Sequence, residues 1–93
     1  MEAHAKTTVR WKAGLHIRPA TYIVKLLQKY PCEIKIIKDN SICNAKSVIQ
    51  IISLGAECGA NLTIEAKGEE SDRAVEALKT FFDEYEDVED MLW

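Results

Sequence analysis

The run Gly14-Leu15-His16-Ile17-Arg18-Pro19-Ala20 gathers the residues best suited to chemistry in this 93-residue chain. An imidazole titrates near ~6.5, so a neutral, nucleophilic histidine ring is generally available at cellular pH. Arg18 adds a planar fork of donors that fits phosphate oxygens. Pro19 suits the first turn of a helix, where its missing N–H costs nothing and its fixed φ helps the turn form. The first N–H groups of a helix have no intrahelical partner, and with the helix dipole they form an anion site. Gly14 allows a tight turn with no side chain crowding an incoming phosphate. These features point to His16 as the carrier of a phosphoryl group. A plainer reading stands beside it, in which His16 is a solvated or capping residue at a helix start.

The elements that position this run can be traced along the chain. Thr7 to Lys12 alternates and is rich in β-formers, so it predicts a strand with Val9 and Trp11 on one face and Ala13-Gly14 at its end. Ala20, Ile23, Val24 and Leu27 then follow the spacing of an amphipathic helix, with Lys25 and Lys29 off the stripe and Pro31 as its stop. Cys32 to Lys38 predicts a strand, Asp39-Asn40-Ser41 a turn, and Ile42-Cys43 a short returning strand. Ser47 is a good N-cap for a short helix holding Val48, Ile49, Ile51, Ile52 and Leu54, stopped by Gly55. That helix is more apolar than one buried face requires, and exposed apolar residues in a patch mark a contact surface. Leu62 to Lys67 alternates as a last strand closed by Gly68. Glu69, Glu70 and Asp72 would fill the first turn of a final helix, with Ala74, Leu78, Phe81 and Tyr85 facing the core and Val75 and Phe82 flanking them.

The order β-α-β-β-α-β-α predicts an α+β two-layer sandwich, a four-stranded antiparallel sheet covered on one face by three helices. Length fits one domain over residues 1–93. Its core spans about 7–84, with a loose N-terminus at 1–6 and an acidic C-terminal extension at 85–93. The net charge of −3 hides an asymmetry: residues 1–46 carry a net +6 and residues 83–93 a net −6. A basic half around His16 suits acidic partners or phosphate. No Lys/Arg block or aromatic row suggests nucleic acid. Cys32, Cys43 and Cys58 lack disulfide or zinc spacing, and His4 is the only other histidine, so neither a metal nor a cofactor is expected. No apolar run nears the ~20 residues of a membrane span. The first six residues lack a signal peptide's apolar stretch, so a cytoplasmic location is expected.

The motif from Gly14 to Ala20 resembles the active-site segment of the HPr family, the histidine phosphocarriers of the bacterial phosphotransferase system. Asn44-Ala45-Lys46-Ser47, with Ser53-Leu54-Gly55 after it, is similar to that family's regulatory-serine segment. Gly59 through Ile64, Gly68-Glu69 and Ala74 through Leu78 resemble its last strand and helix. The resemblance spans about Thr7 to Glu84, and the family's element order agrees with the order above. It implies a stoichiometric carrier of the sugar phosphotransferase system rather than an enzyme. Enzyme I, charged by phosphoenolpyruvate, would phosphorylate Nδ1 of His16, and His16 would donate to an enzyme IIA. Arg18 matches the phosphate-interacting arginine. The implied partner surface comprises Ile17, Thr21, Val48, Ile49, Ile52 and Gly55, with Lys25 at its edge. Ser47 matches the serine modified by HPr kinase/phosphorylase in many such bacteria, and it is equally a plain helix cap. An alternative is a regulatory homologue, in a nitrogen-type chain or acting as a Ser47-phosphorylated corepressor. A binding domain of another class would leave the His-Arg-Pro order without a role.

Some positions depart from the family pattern. Ile17 is larger than the residue usual after the histidine, and Gln50 stands where Gly or Lys is common. The chain runs past Tyr85, where such proteins usually end. Leu78, Phe81, Tyr85, Val88 and Leu92 form a heptad-like stripe, while Asp83, Glu86, Asp87 and Asp90 cluster off it and oppose an isolated helix. A frayed acidic tail and a helix whose stripe packs on a second molecule or an unusual partner are the two readings. A monomer is the expectation that goes with the first.

Overall fold

The computed structural model describes residues 1–88. Its elements are β1 (Glu2–Thr8), α1 (Ile17–Leu27), β2 (Glu33–Lys38), β3 (Ser41–Asn44), α2 (Val48–Ser53), β4 (Asn61–Lys67) and α3 (Ser71–Glu84). The strands form one antiparallel sheet in the order β1-β4-β2-β3. This is the α+β sandwich that the sequence pattern predicts.

The first strand lies earlier than expected. β1 pairs along its whole length with β4, from Glu2 opposite Lys67 to Thr8 opposite Asn61. The first six residues are therefore not loose. Their inward positions are Ala3, Ala5 and Thr7, which are small or polar, so the alternation is faint in the sequence. The pairing is supplied by β4, which needs a neighbour on that side. Val9 and Trp11 lie beyond the strand, yet each is only 1% exposed. Backbone bonds hold this crossing: Val9 N–H donates to the Ala60 carbonyl at 2.9 Å, and Gly59 N–H donates to the Val9 carbonyl at 2.8 Å.

One face of the sheet carries the core. Ile34, Ile36, Cys43, Leu62, Ile64 and Ala66 alternate inward and are buried, as period-2 patterning requires. Ala20, Ile23 and Leu27 of α1 and Ala74, Val75, Leu78 and Phe82 of α3 close over them. α3 packs on β1 and β4, and α1 lies beside both α2 and α3. Side chains of Leu, Ile or Phe buried in this way each contribute about 1.5–3 kcal/mol.

α3 starts and ends differently from expectation. Ser71 is its first residue and is buried; Glu70 is the N-cap, in a left-handed conformation at φ 64°, so of the three expected acids only Asp72 lies in the first turn. The helix stops at Glu84 rather than continuing through the heptad-like stripe. Arg10 Nε–H donates to the Phe82 carbonyl at 3.0 Å, and Trp11 Nε1–H donates to the Tyr85 carbonyl at 2.9 Å. These donors satisfy carbonyls that a helix end leaves without partners. Trp11 also stacks on Phe82, with ring centroids 5.4 Å apart, and meets Phe81 and Tyr85 edge-on. Tyr85 is extended, at φ −64° and ψ 129°, which turns the chain back towards the start of α1. Leu92, the last member of the stripe, lies outside the described residues.

Candidate functional site

His16 is the N-cap of α1. Its backbone is extended, at φ −97° and ψ −168°, and its side chain makes no capping bond. The imidazole is therefore not used to cap the helix. The carbonyl of His16 accepts from Ala20 N–H at 3.1 Å and begins the helix. A turn fixes the approach: His16 N–H donates to the Gly14 carbonyl at 3.0 Å, Gly14 N–H to the Trp11 carbonyl at 2.9 Å, and Leu15 N–H to the Ala56 carbonyl at 2.9 Å. Gly14 has φ +76°, and a Cβ there would lie 2.7 Å from the Ala56 carbonyl oxygen. The position thus requires glycine on two grounds, conformation and space.

The site contains a residue that the motif does not include. Asp87, fully buried, bridges His16 and Arg18. Its Oδ2 is 2.5 Å from His16 Nε2, and its Oδ1 accepts from Arg18 Nε–H at 3.1 Å. Neither the loose tail nor a continuing helix describes residues 85–87, which return to the site instead. The only hint in the sequence is electrostatic: an acidic end and a basic first half. Spacing gives no sign of it, because 71 residues separate Asp87 from His16. Burial pushes the Tyr85 phenol up, and the nearby Asp87 charge adds to the effect.

Other expected residues are placed as follows. Ile17, Ile49 and Ile52 are 62%, 77% and 40% exposed. Gly14, His16, Ile52, Gly55 and Cys58 line one groove of about 520 Å³, so the end of α2 does flank the histidine. Val48 is half-buried against the core. Thr21 donates its hydroxyl to the Ile17 carbonyl at 2.7 Å, and Lys25 is exposed in the last turn of α1. Ser47 caps α2, its Oγ accepting from Gln50 N–H at 3.3 Å. The Gln50 side-chain oxygen accepts from Asn44 N–H at 2.8 Å, so this departure from the family pattern ties α2 to the end of β3. No helix among the described residues is long and apolar enough to cross a membrane.

An imidazole and a guanidinium, bridged by a buried carboxylate, thus stand together at the N-terminus of α1. The chain belongs to the HPr family: residues 3–84 match the family model for the PTS HPr component phosphorylation site. Among its relatives is the phosphocarrier protein HPr of Buchnera aphidicola, 41% identical over 73 residues, which are 78% of this chain and 86% of that one. A crystal structure of HPr from Bacillus anthracis superposes with a TM-score of 0.80 at 34% identity, covering 86% of this chain and 95% of that one. The crystal structure of Bacillus subtilis Crh, described as a swapping-domain dimer, gives a TM-score of 0.72 at 33% identity, covering 85% and 91%.

Proposed function

We propose that this protein is a cytoplasmic phosphoryl carrier that accepts the group on Nδ1 of His16 from enzyme I and passes it to an enzyme IIA. The observation that carries this reading is the placement of His16. It caps α1 with its backbone, leaves its ring uncommitted to capping, and is linked to Arg18 through Asp87 at the helix start. Arg18 would steady the phosphate with charge-assisted bonds. Ile17, Thr21, Ile49, Ile52 and Gly55 would form the docking surface, with Val48 beneath it and Lys25 at its edge for acidic partners. Such transient interfaces are small. The chain acts as a monomer in this reading, which sedimentation velocity checks against the dimer described for Crh. Incubation with enzyme I and phosphoenolpyruvate, followed by intact-mass measurement, tests the carrier. An acid-labile adduct absent from His16→Ala is expected, and failure of the native protein to label would refute the reading.

A second reading, regulation through Ser47, is supported by the cap geometry and by the likeness to Crh. A phosphate at this N-cap would face the first N–H groups of α2, while its charge would weaken docking of an acidic partner. HPr kinase/phosphorylase and ATP should then give an acid-stable adduct that Ser47→Ala lacks. An unlabelled native protein would leave Ser47 as a cap.

A further inference from the structure

Asp87 is a buried carboxylate whose two oxygens both face the site, Oδ2 at 2.5 Å from His16 Nε2 and Oδ1 at 3.1 Å from Arg18 Nε. A carboxylate withdrawn from water is costly unless it is paired and hydrogen-bonded. Both requirements are met here by the two residues of the motif. An ionised carboxylate can only accept, and the guanidinium on Oδ1 favours that state. The bond to His16 therefore requires a proton on Nε2. In a neutral imidazole this leaves the lone pair on Nδ1.

We propose that Asp87 is a positioning residue for phosphoryl transfer. It fixes His16 in the Nε2-protonated tautomer, orients the ring, and anchors Arg18 beside it. This rests on the reading of His16 as the phosphoryl acceptor. In the step, the Nδ1 lone pair forms the bond to phosphorus while the donor's bond to phosphorus breaks, its electron pair staying on the donor atom. Nε2 keeps its proton, so the ring becomes a phosphorylated imidazolium and Asp87 faces the new positive charge. No proton has to leave His16. A preorganised charge aimed at the developing one is the kind of group that favours a transition state. Arg10 and Trp11 make the arrangement possible by ending α3 and turning residues 85–87 back to α1.

The test has two arms on the full chain. In ¹⁵N-labelled native protein at pH 8.5, His16 is expected to show a protonated Nε2, an unprotonated Nδ1, and a downfield Nε2–H proton protected from exchange. His4, which is exposed, serves as the internal comparison. Asp87→Ala should lose the protected proton and move both nitrogen shifts towards those of His4. In single-turnover labelling by phosphorylated enzyme I, Asp87→Ala and the near-isosteric Asp87→Asn should react at least tenfold more slowly, with half-saturation by enzyme I unchanged. Asp87→Asn keeps the volume, so circular dichroism matching the native protein separates positioning from misfolding. Native-rate labelling by both variants would overturn the proposal while leaving the carrier reading intact. Faster labelling would overturn it in favour of Asp87 as a block, and a native His16 with the tautomer mixture of His4 would also overturn it. Failure of the native protein to label would overturn the carrier reading and, with it, a role for Asp87 in transfer, whatever the imidazole signals show.

Discussion

Replacing Gly14 by alanine should cost far more than the same change at Gly55, although both glycines have positive φ. At Gly55, φ is +67° and an added Cβ meets nothing within 4 Å. Only the backbone conformation is penalised there, by about 1–2 kcal/mol, partly offset by about 0.4–1 kcal/mol from restricting the unfolded chain. At Gly14 the added Cβ lies 2.7 Å from the Ala56 oxygen and 3.2 Å from Glu57 Cα, both backbone atoms that cannot rotate away. Relief requires the 56–57 backbone to move, which strains the bond from Leu15 N–H to the Ala56 carbonyl, now 2.9 Å. A lost hydrogen bond contributes about 0.5–1.5 kcal/mol and overpacking about 1–3 kcal/mol. With the conformational term, the loss at Gly14 is about 3 kcal/mol against about 1 kcal/mol or less at Gly55. For a chain of this size the thermal midpoint should fall by roughly 12–24 °C for Gly14→Ala and by less than about 8 °C for Gly55→Ala. Urea and thermal unfolding followed by far-UV circular dichroism measure both. Equal losses within about 0.5 kcal/mol would refute the close approach of residues 14 and 56, and with it the account of how His16 is held.

Further outcomes follow from other contacts. Ser47→Ala should destabilise the protein by about 1 kcal/mol in urea unfolding, because Gln50 N–H loses its side-chain acceptor. Trp11→Phe should cost about 1–3 kcal/mol, since the Tyr85 carbonyl loses its indole donor. It should also weaken protection of the His16 Nε2–H proton, measured by hydrogen exchange. Stability should fall in alkali. Burial raises the Cys43 thiol above its ordinary value, with the bond to Ile36 opposing, and burial likewise raises the Tyr85 phenol, so the unfolded chain releases these protons first. The stabilisation is complete below about pH 8.5 and is lost as pH rises through the thiol range and then the phenol range near about 10. Urea midpoints against pH test this, and Cys43→Ala should flatten the first part of the decline. In the native state Cys58 alone should react quickly with a thiol reagent, because Cys32 and Cys43 are buried and Cys58 is exposed.

The local signals in the sequence are strong where one residue type settles a conformation. Pro19, Pro31, Ser47 and Gly55 punctuate the helices close to the boundaries observed, since capping and the proline ring act within one turn. The alternation of Ile34 with Ile36, and of Leu62 with Ile64, marks strands because period-2 burial leaves a period-2 pattern. β1 is poorly legible because its inward residues are Ala3, Ala5 and Thr7, and its pairing is decided by β4, which lies more than fifty residues away in the chain.

The same division runs through the site. The order Gly14, His16, Arg18, Pro19 determines a helix start with a ring and a guanidinium beside it, because each acts on its immediate neighbours. Tertiary structure alone decides that α3 stops at Glu84, since the donors that end it come from Arg10 and Trp11. That ending brings Asp87 to His16 and Arg18. A carboxylate 71 positions from its imidazole partner leaves no periodic trace in the chain. The sequence shows only that opposite charges are available to meet, and the fold decides which of them do.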